Sequence, residues 1–283
     1  MKRFTFAIVL FLLIILTYGC NEHTSKTNDL KSMGFHGDIE TIVKTENQFS
    51  LKFGEEQIGD IMSKTVFKFN NDGNKIEESV YDSDGELKSK LKYTYDEKGN
   101  RINLSNYDSD GELTYKYKFT YDEKGKLIEL NEYDSDGELK SKYKYTYDEK
   151  GNPINLSEYD SDGELTYKYK FTYDEKGKLI EENEYDSDGE LMGKRKYTYD
   201  KKGNPINLSN YDSDGDLMWE YKNTYTYDKK GKIIEQNGYD SDGELKSKYN
   251  TYDKKGNLIE EREYDDELLE KPTKLIKYEI TYR

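Results

Sequence analysis

Hydrophobic and polar residues alternate along most of this chain, in runs of eight or nine residues separated by glycine-containing turns. From Leu113 one set of alternate positions reads Leu113, Tyr115, Tyr117, Phe119 and Tyr121, and the other reads Thr114, Lys116, Lys118 and Thr120. A period of two is the mark of a β-strand with two unlike faces. The turns come in two kinds. Tyr-Asp-Ser-Asp-Gly begins at Tyr81, Tyr107, Tyr133, Tyr159, Tyr185, Tyr211 and Tyr239, and Tyr-Asp-x-Lys-Gly begins at Tyr95, Tyr121, Tyr147, Tyr173, Tyr199, Tyr227 and Tyr252. The first motif steps by 26 residues five times and then by 28 across the segment holding Trp219. A fixed period of this size defines a repeat architecture.

Each unit predicts two antiparallel strands. In Tyr147-Asp-Glu-Lys-Gly-Asn152 the Asp148 carboxylate can accept backbone N–H bonds, and Gly151 can take the left-handed conformation. That combination predicts a type I turn closed by a glycine bulge. Pro153 and Pro205 sit just after such turns, at a strand start or bulge where a ladder N–H is least needed. The return strands are weaker. Counting back from the turn puts Ile102 opposite Thr94 and Leu104 opposite Lys92, so a thin Ile/Leu stripe is expected on the lysine face, covered by lysine methylenes.

The expected fold class is all-β: tandem antiparallel β-hairpin repeats forming a long twisted or curled meander sheet. About 16 strands roughly 4.8 Å apart would make a sheet on the order of 75 Å long. Two readings of the tyrosine face are open. It lines the inside of a curled sheet, or it stays partly wet on a flat one. The array runs from 81 to 263, with an atypical N-terminal β cap at 34–80 and a C-terminal β cap at 264–283, where Ile276, Tyr278, Ile280 and Tyr282 alternate. Residues 81–132 and 133–184 differ at only four of 52 places: Leu91/Tyr143, Arg101/Pro153, Asn106/Glu158 and Leu130/Glu182.

Residues 1–19 have the form of a targeting segment: Lys2 and Arg3, then an apolar run from Phe6 to Leu16 too short for an ordinary membrane span. Gly19-Cys20 follows, and Cys20 is the single cysteine of the chain. The pattern resembles a bacterial lipoprotein signal, which implies lipidation at Cys20, a membrane anchor through it, and a place in the cell envelope. Residues 20–33 then read as a flexible tether. The formal charge is −15; removing the two positive charges of Lys2 and Arg3 leaves −17.

That charge opposes nucleic acid as a partner, despite strands of tyrosine and lysine. Aspartate pairs such as Asp134 and Asp136 before Gly137 suggest calcium only superficially, since turn preference explains both residue types. Seven near-identical copies also speak against a single catalytic carboxylate pair. The histidines, His23 and His36, form no metal-binding spacing, and neither a phosphate loop nor a serine elbow is present. No cofactor and no enzymatic activity are expected.

At Phe171-Thr-Tyr-Asp-Glu-Lys-Gly-Lys-Leu179 and its copies the chain resembles the YD repeats of the Rhs family, over about residues 65–262. The resemblance implies strips of β-hairpins that curl into shells. The array is short for a closed shell, and it carries neither a proline- and aspartate-rich self-cleavage segment nor an appended toxin domain. The functional expectation is a non-enzymatic cell-envelope lipoprotein whose β-repeat sheet serves protein–protein interaction or acts as a spacer. The alternative is a carbohydrate-binding surface lipoprotein with an exposed tyrosine face. In either case binding would fall on Tyr115, Tyr117, Phe119, Tyr167, Tyr169 and Phe171, extended by Trp219, because flat amphipathic rings suit sugars and protein interfaces alike.

Overall fold

The computed structural model describes residues 28–52, 55–227, 233–264 and 272–283; Cys20 and the targeting segment lie outside them. Among the described residues a short helix, α1 (Asp29–Ser32), precedes eighteen strands. The first are β1 (Ile39–Lys52), β2 (Glu55–Phe69), β3 (Lys75–Tyr81), β4 (Leu87–Tyr95), β5 (Arg101–Asp108) and β6 (Leu113–Tyr121). The middle six are β7 (Leu127–Asp134), β8 (Leu139–Tyr147), β9 (Pro153–Asp160), β10 (Leu165–Tyr173), β11 (Leu179–Asp186) and β12 (Leu191–Tyr199). The last are β13 (Pro205–Asp212), β14 (Leu217–Tyr227), β15 (Ile233–Tyr239), β16 (Leu245–Tyr252), β17 (Leu258–Tyr264) and β18 (Pro272–Tyr282).

Every strand pairs antiparallel with its neighbours in the chain, and β1 also pairs with β18, from Ile39 opposite Tyr282 to Gln48 opposite Lys274. The meander therefore closes on itself into an eighteen-stranded barrel. The expected all-β meander of hairpin repeats is what forms; the strand number is eighteen and not about 16, and of the curled and flat readings the sheet takes the curled one. The caps contribute more strands than the repeats alone suggest, and Ile42 and Ile280 meet at the seam. Closure removes the two unpaired edges that a strip would expose.

The turns form as their chemistry dictates. In the Tyr-Asp-x-Lys-Gly turn after β4, the Gly99 amide donates to the Asp96 carbonyl at 2.9 Å, and the Asp96 amide donates to the Asn100 carbonyl at 2.9 Å. Gly99 has φ 72°, which completes a type I turn with a glycine bulge. Both turn types hold their first aspartate by its carboxylate: Asp82 Oδ1 accepts from the amides of Asp84 and Glu86 at 3.0 and 2.9 Å, and Asp148 Oδ1 accepts from the Asn152 amide at 2.7 Å.

A second irregularity follows each turn, and it changes the faces. Tyr95 lies opposite Arg101 but Thr94 lies opposite Asn103, so Ile102 is an extra residue in the return strand. This bulge slips the register by one, and a slip of one exchanges faces. Leu104 consequently pairs with Tyr93 and Tyr117, on the aromatic face, and not with Lys92 on the lysine face. The Ile/Leu stripe is thus split: Leu104, Leu130 and Leu156 are buried among the tyrosines, while Ile128 at the bulge stays 38% exposed.

The buried side of the sheet is the aromatic one. Leu104, Phe119, Leu130, Tyr143, Tyr145, Leu156, Tyr169 and Phe171 form one apolar cluster across β4 to β11. The substantial contacts of each strand are with its sheet neighbours, so this burial comes from side chains crowding laterally. In a closed sheet that face is the inner one, where side chains converge. The outer face carries the lysines, and these lie over a second set of tyrosines: Lys92 over Tyr107 at 5.1 Å, Lys118 over Tyr133 at 5.0 Å and Lys170 over Tyr185 at 4.7 Å. Such cation–π contacts are worth about 0.5–1 kcal/mol each at exposed sites. A polar exterior of this kind is unlike the apolar band of a lipid-facing barrel.

Part of the stretch read as tether is docked. The Asn28 side chain caps α1 by accepting from the Lys31 amide at 2.9 Å, and the Leu30 amide donates to the Gly73 carbonyl at 3.1 Å. Asp29 takes Arg101 at 2.8 Å and the Tyr95 hydroxyl at 2.7 Å. Further on, Asn257 holds the His36 backbone through both ends of its side chain. Leu30 and Phe35 enter an apolar cluster with Ile39, Ile42, Phe67 and Phe69. Residues 28–38 are thus a strap across the end of the barrel where β1 and β18 meet.

Candidate functional site

The inner wall combines three features. The first is a ladder of hydroxyls. Tyr121 donates to the Arg101 carbonyl at 2.8 Å, Tyr173 to the Pro153 carbonyl at 2.8 Å and Tyr199 to the Leu179 carbonyl at 2.8 Å. In each case the tyrosine that opens one Tyr-Asp-x-Lys-Gly turn reaches the first residue of the bulge on the adjoining hairpin. The bulge takes that carbonyl out of the regular ladder, and the tyrosine hydroxyl supplies a donor. Proline fits at the bulge because no N–H is needed there. In β14, which has two extra residues, Tyr225 takes this role and donates to the Pro205 carbonyl at 2.8 Å. The extra turn tyrosine, Tyr227, donates instead to Asp200 Oδ2 at 2.6 Å, and that bond holds the Asp200 carboxyl well below its ordinary range.

The second feature is a row of tyrosine–carboxylate pairs. Tyr93 donates to Glu78 at 3.1 Å, Tyr169 to Glu184 at 3.3 Å and Tyr197 to Glu182 at 3.0 Å, with Tyr143 and Glu158 at 3.5 Å. Burial pushes the Glu158 carboxyl up to about 7, with the charge of Glu132 adding to it. Burial likewise raises Glu132. Oε2 of Glu158 and the hydroxyl of Tyr145 are buried without a hydrogen-bond partner.

The third feature is a charged pair within the wall. Glu182 and Arg195 are 2% and 4% exposed, and Arg195 Nη1 lies 2.7 Å from Glu182 Oε1. Burial raises the Glu182 carboxyl against the pull of Arg195. A cavity of about 180 Å³ adjoins the pair, lined among others by Glu184, Gly193 and Asp212.

The predicted binding residues occupy this wall. Phe119, Tyr169 and Phe171 are buried in the cluster, and Tyr115, Tyr117 and Tyr167 pack against it half-buried. Tyr115 and Tyr117 meet edge-on, with ring centroids 5.5 Å apart. Trp219 is half-buried on β14, opposite Asn210. The face therefore functions as a packed wall, the first of the two readings left open by the sequence. The structure brings the six repeat aromatics together and leaves Trp219 outside their cluster. It also adds residues that no motif flagged: Glu132, Glu158, Glu182, Glu184 and Arg195. Two of them, Glu158 and Glu182, are among the four places where the duplicated blocks differ, which was the available signal. Among the described residues no group of three His, Cys, Asp or Glu is placed to hold a metal ion. The turn aspartates spend their Oδ1 atoms on backbone amides.

No family model and no curated protein matches this chain. Solved structures do. A porin-like protein from Bacteroides uniformis aligns over 86% of this chain and 98% of its own, with a TM-score of 0.46 and 12% identity. A porin-like protein from Bacteroides vulgatus aligns over 87% and 99%, with a TM-score of 0.31 and 11% identity. The TcdB2-TccC3 structure aligns over 86% of this chain but only 16% of its own, with a TM-score of 0.32 and 16% identity. At these scores the likenesses carry no conclusion about activity or address; the all-β hairpin repeats stand on the chain's own strands and registers.

Proposed function

We propose that this chain is a non-enzymatic lipoprotein of the bacterial cell envelope, anchored through Cys20, whose barrel of YD-type, Rhs-like repeats presents its outer face and turns to a protein partner or serves as a spacer. The observation that carries this reading is the use of the aromatic face. Tyr143 is 2% exposed and Tyr169 3%, so the rings that a sugar would stack on are spent on packing. What remains for a partner is a regular exterior of lysines over tyrosines, one rim of acidic Asp-Ser-Asp-Gly turns and one rim of turns in which aspartate is balanced by lysine. Among the described residues no helix is long and apolar enough to cross a membrane, and the reading assigns attachment to the lipid.

Two experiments test it. In the first, Cys20→Ser is compared with the parent chain for incorporation of labelled fatty acid and for membrane retention. Equal label in both ends the anchoring claim. In the second, the chain is crosslinked in envelope preparations and also applied to a glycan array. A defined protein crosslink weakened by Lys118→Glu and Lys144→Glu together supports the partner role. Glycan binding abolished by Tyr117→Ser and Tyr169→Ser, in a variant that still unfolds cooperatively, would replace it with the carbohydrate reading.

A further inference from the structure

Because the unit recurs every 26 residues, each inner-face position can be compared with its own copies. Gly193 stands where Ser89 and Ser141 stand in the units of the same phase, and where Tyr115, Tyr167 and Trp219 stand in the alternate units. Arg195 takes the place of Tyr117, Tyr143 and Tyr169. Glu182 takes the place of Leu104, Leu130 and Leu156. These three departures are not scattered. Glu182 lies opposite Arg195, and Gly193 is the next inner position along the same strand. Gly193 carries no side chain, between units that carry a ring at this position, and the cavity of about 180 Å³ lies against it.

The charges around the gap are unequal. Glu184 and Asp212 lie opposite Gly193 from its two sides. Asp212 Oδ1 is held by the amides of Asp214 and Asp216, and Glu184 Oε1 accepts from Tyr169, so each carboxylate keeps a second oxygen for a ligand. The inner-face cation at the cavity, Arg195, is engaged with Glu182 at 2.7 Å, and Lys194 lies 4.0 Å from Glu181. Met192 and Met218 add flexible apolar surface to the lining.

We propose that this gap is a binding site for a small organic ammonium ion with a compact ring-sized body. Its cation sits between Glu184 and Asp212, and its body fills the space that the ring of Tyr167 fills one unit earlier. Buried Arg195 and Glu182 fix the floor of the site and neutralise each other, so the remaining field selects for positive charge.

The site is tested by calorimetric titration of the full chain with cyclohexylamine and with glucosamine, set against their uncharged counterparts cyclohexanol and glucose. Saturable binding of at least one amine is expected, with its neutral counterpart weaker by about tenfold or more. The stronger amine reports whether the body is hydrocarbon or sugar. Gly193→Tyr gives this unit the ring that the alternate units carry at Tyr115 and Tyr167. A Cβ there comes 3.2 Å from the Tyr211 carbonyl, a contact relieved by a shift of a few tenths of an ångström. This variant should keep its circular dichroism and lose binding. Glu184→Gln, which removes a charge without filling space, should weaken binding by about tenfold. Equal affinity for amine and neutral counterpart, unchanged binding in both variants, or no saturable binding by either amine up to about 10 mM would overturn the proposal.

Discussion

Glu158 gives the sharpest quantitative test of the inner wall. It lies on β9 between Tyr143 and Tyr145 of β8 and Tyr167 and Tyr169 of β10, with Glu132 and Glu184 two strands away on either side. It is 7% exposed. Burial raises its carboxyl most, Glu132 next, and Glu184 adds to both; the Tyr143 hydroxyl works against them, and the result is about 7. The folded value is above the ordinary 4.5, so the folded protein holds the proton more tightly than the unfolded chain does. The stability this contributes is complete below pH 4.5 and is lost as the pH rises through 7. At about 1.4 kcal/mol per pKa unit, and allowing for some screening, the loss is about 2–3 kcal/mol. Glu158→Gln is neutral at every pH, and the equivalent position one block earlier is already an amide, Asn106. The variant should match the parent near pH 4.5 and exceed it by about 2–3 kcal/mol near pH 8. Denaturant unfolding followed by far-ultraviolet circular dichroism at both pH values measures the difference. A stability gap that does not widen with pH, or a variant weaker than the parent near pH 8, would refute the burial of this carboxyl in the wall.

Three further outcomes are expected. Tyr173→Phe removes the hydroxyl that meets the Pro153 carbonyl, and should cost about 1–2 kcal/mol in the same unfolding assay. Asn257→Ala releases both bonds to the His36 backbone together with those to Asp253 and Tyr282. It should cost about 2–3 kcal/mol and speed proteolysis within residues 28–38 ahead of the rest of the chain. Deletion of 133–184 joins Glu132 to Tyr185, restores the normal junction and removes four strands. The product should unfold in one transition, and scattering should report a narrower closed ring; an open strip or loss of cooperativity would count against closure.

Strands, turns and repeat boundaries were legible because each rests on local chemistry. Asp148 and Gly151 specify their turn whatever surrounds it, and the alternation from Leu113 to Tyr121 specifies a two-faced strand. The face of Leu104 was not legible in the same way. It depends on Ile102 being an extra residue in the bulge, and one residue in register decides everything beyond it. The ladder that supports the bulge links residues 20 apart, as Tyr121 to Arg101, and so lies outside any single turn motif. Closure was equally hidden, because it depends on β1 and β18, whose sequences share little with the repeat. The gap at Gly193 could be seen as a departure from the unit, but its meaning required Glu182 and Arg195 to be placed opposite each other. Leu30 and Phe35, apolar residues in a polar stretch, were the sequence trace of the strap.

The seam sets the order in which this molecule can be made. Every other strand pairing joins neighbours in the chain and can form as a local hairpin, whereas Ile39 must find Tyr282 at the far end of the sheet. Bringing such distant strands together costs on the order of 5 kcal/mol in chain entropy if the intervening sheet is unformed. A sheet already curled by its bulges brings its two ends close and removes most of that cost. The hairpins therefore assemble first and the ring shuts last. During that interval β1 and β18 are bare edges, open to a second chain as much as to each other. Arg283 ends the interval by joining Asp38 through its backbone and side chain and reaching the Phe69 carbonyl, so the β18 end is latched across the seam to the start of β1 and to the end of β2 beyond it.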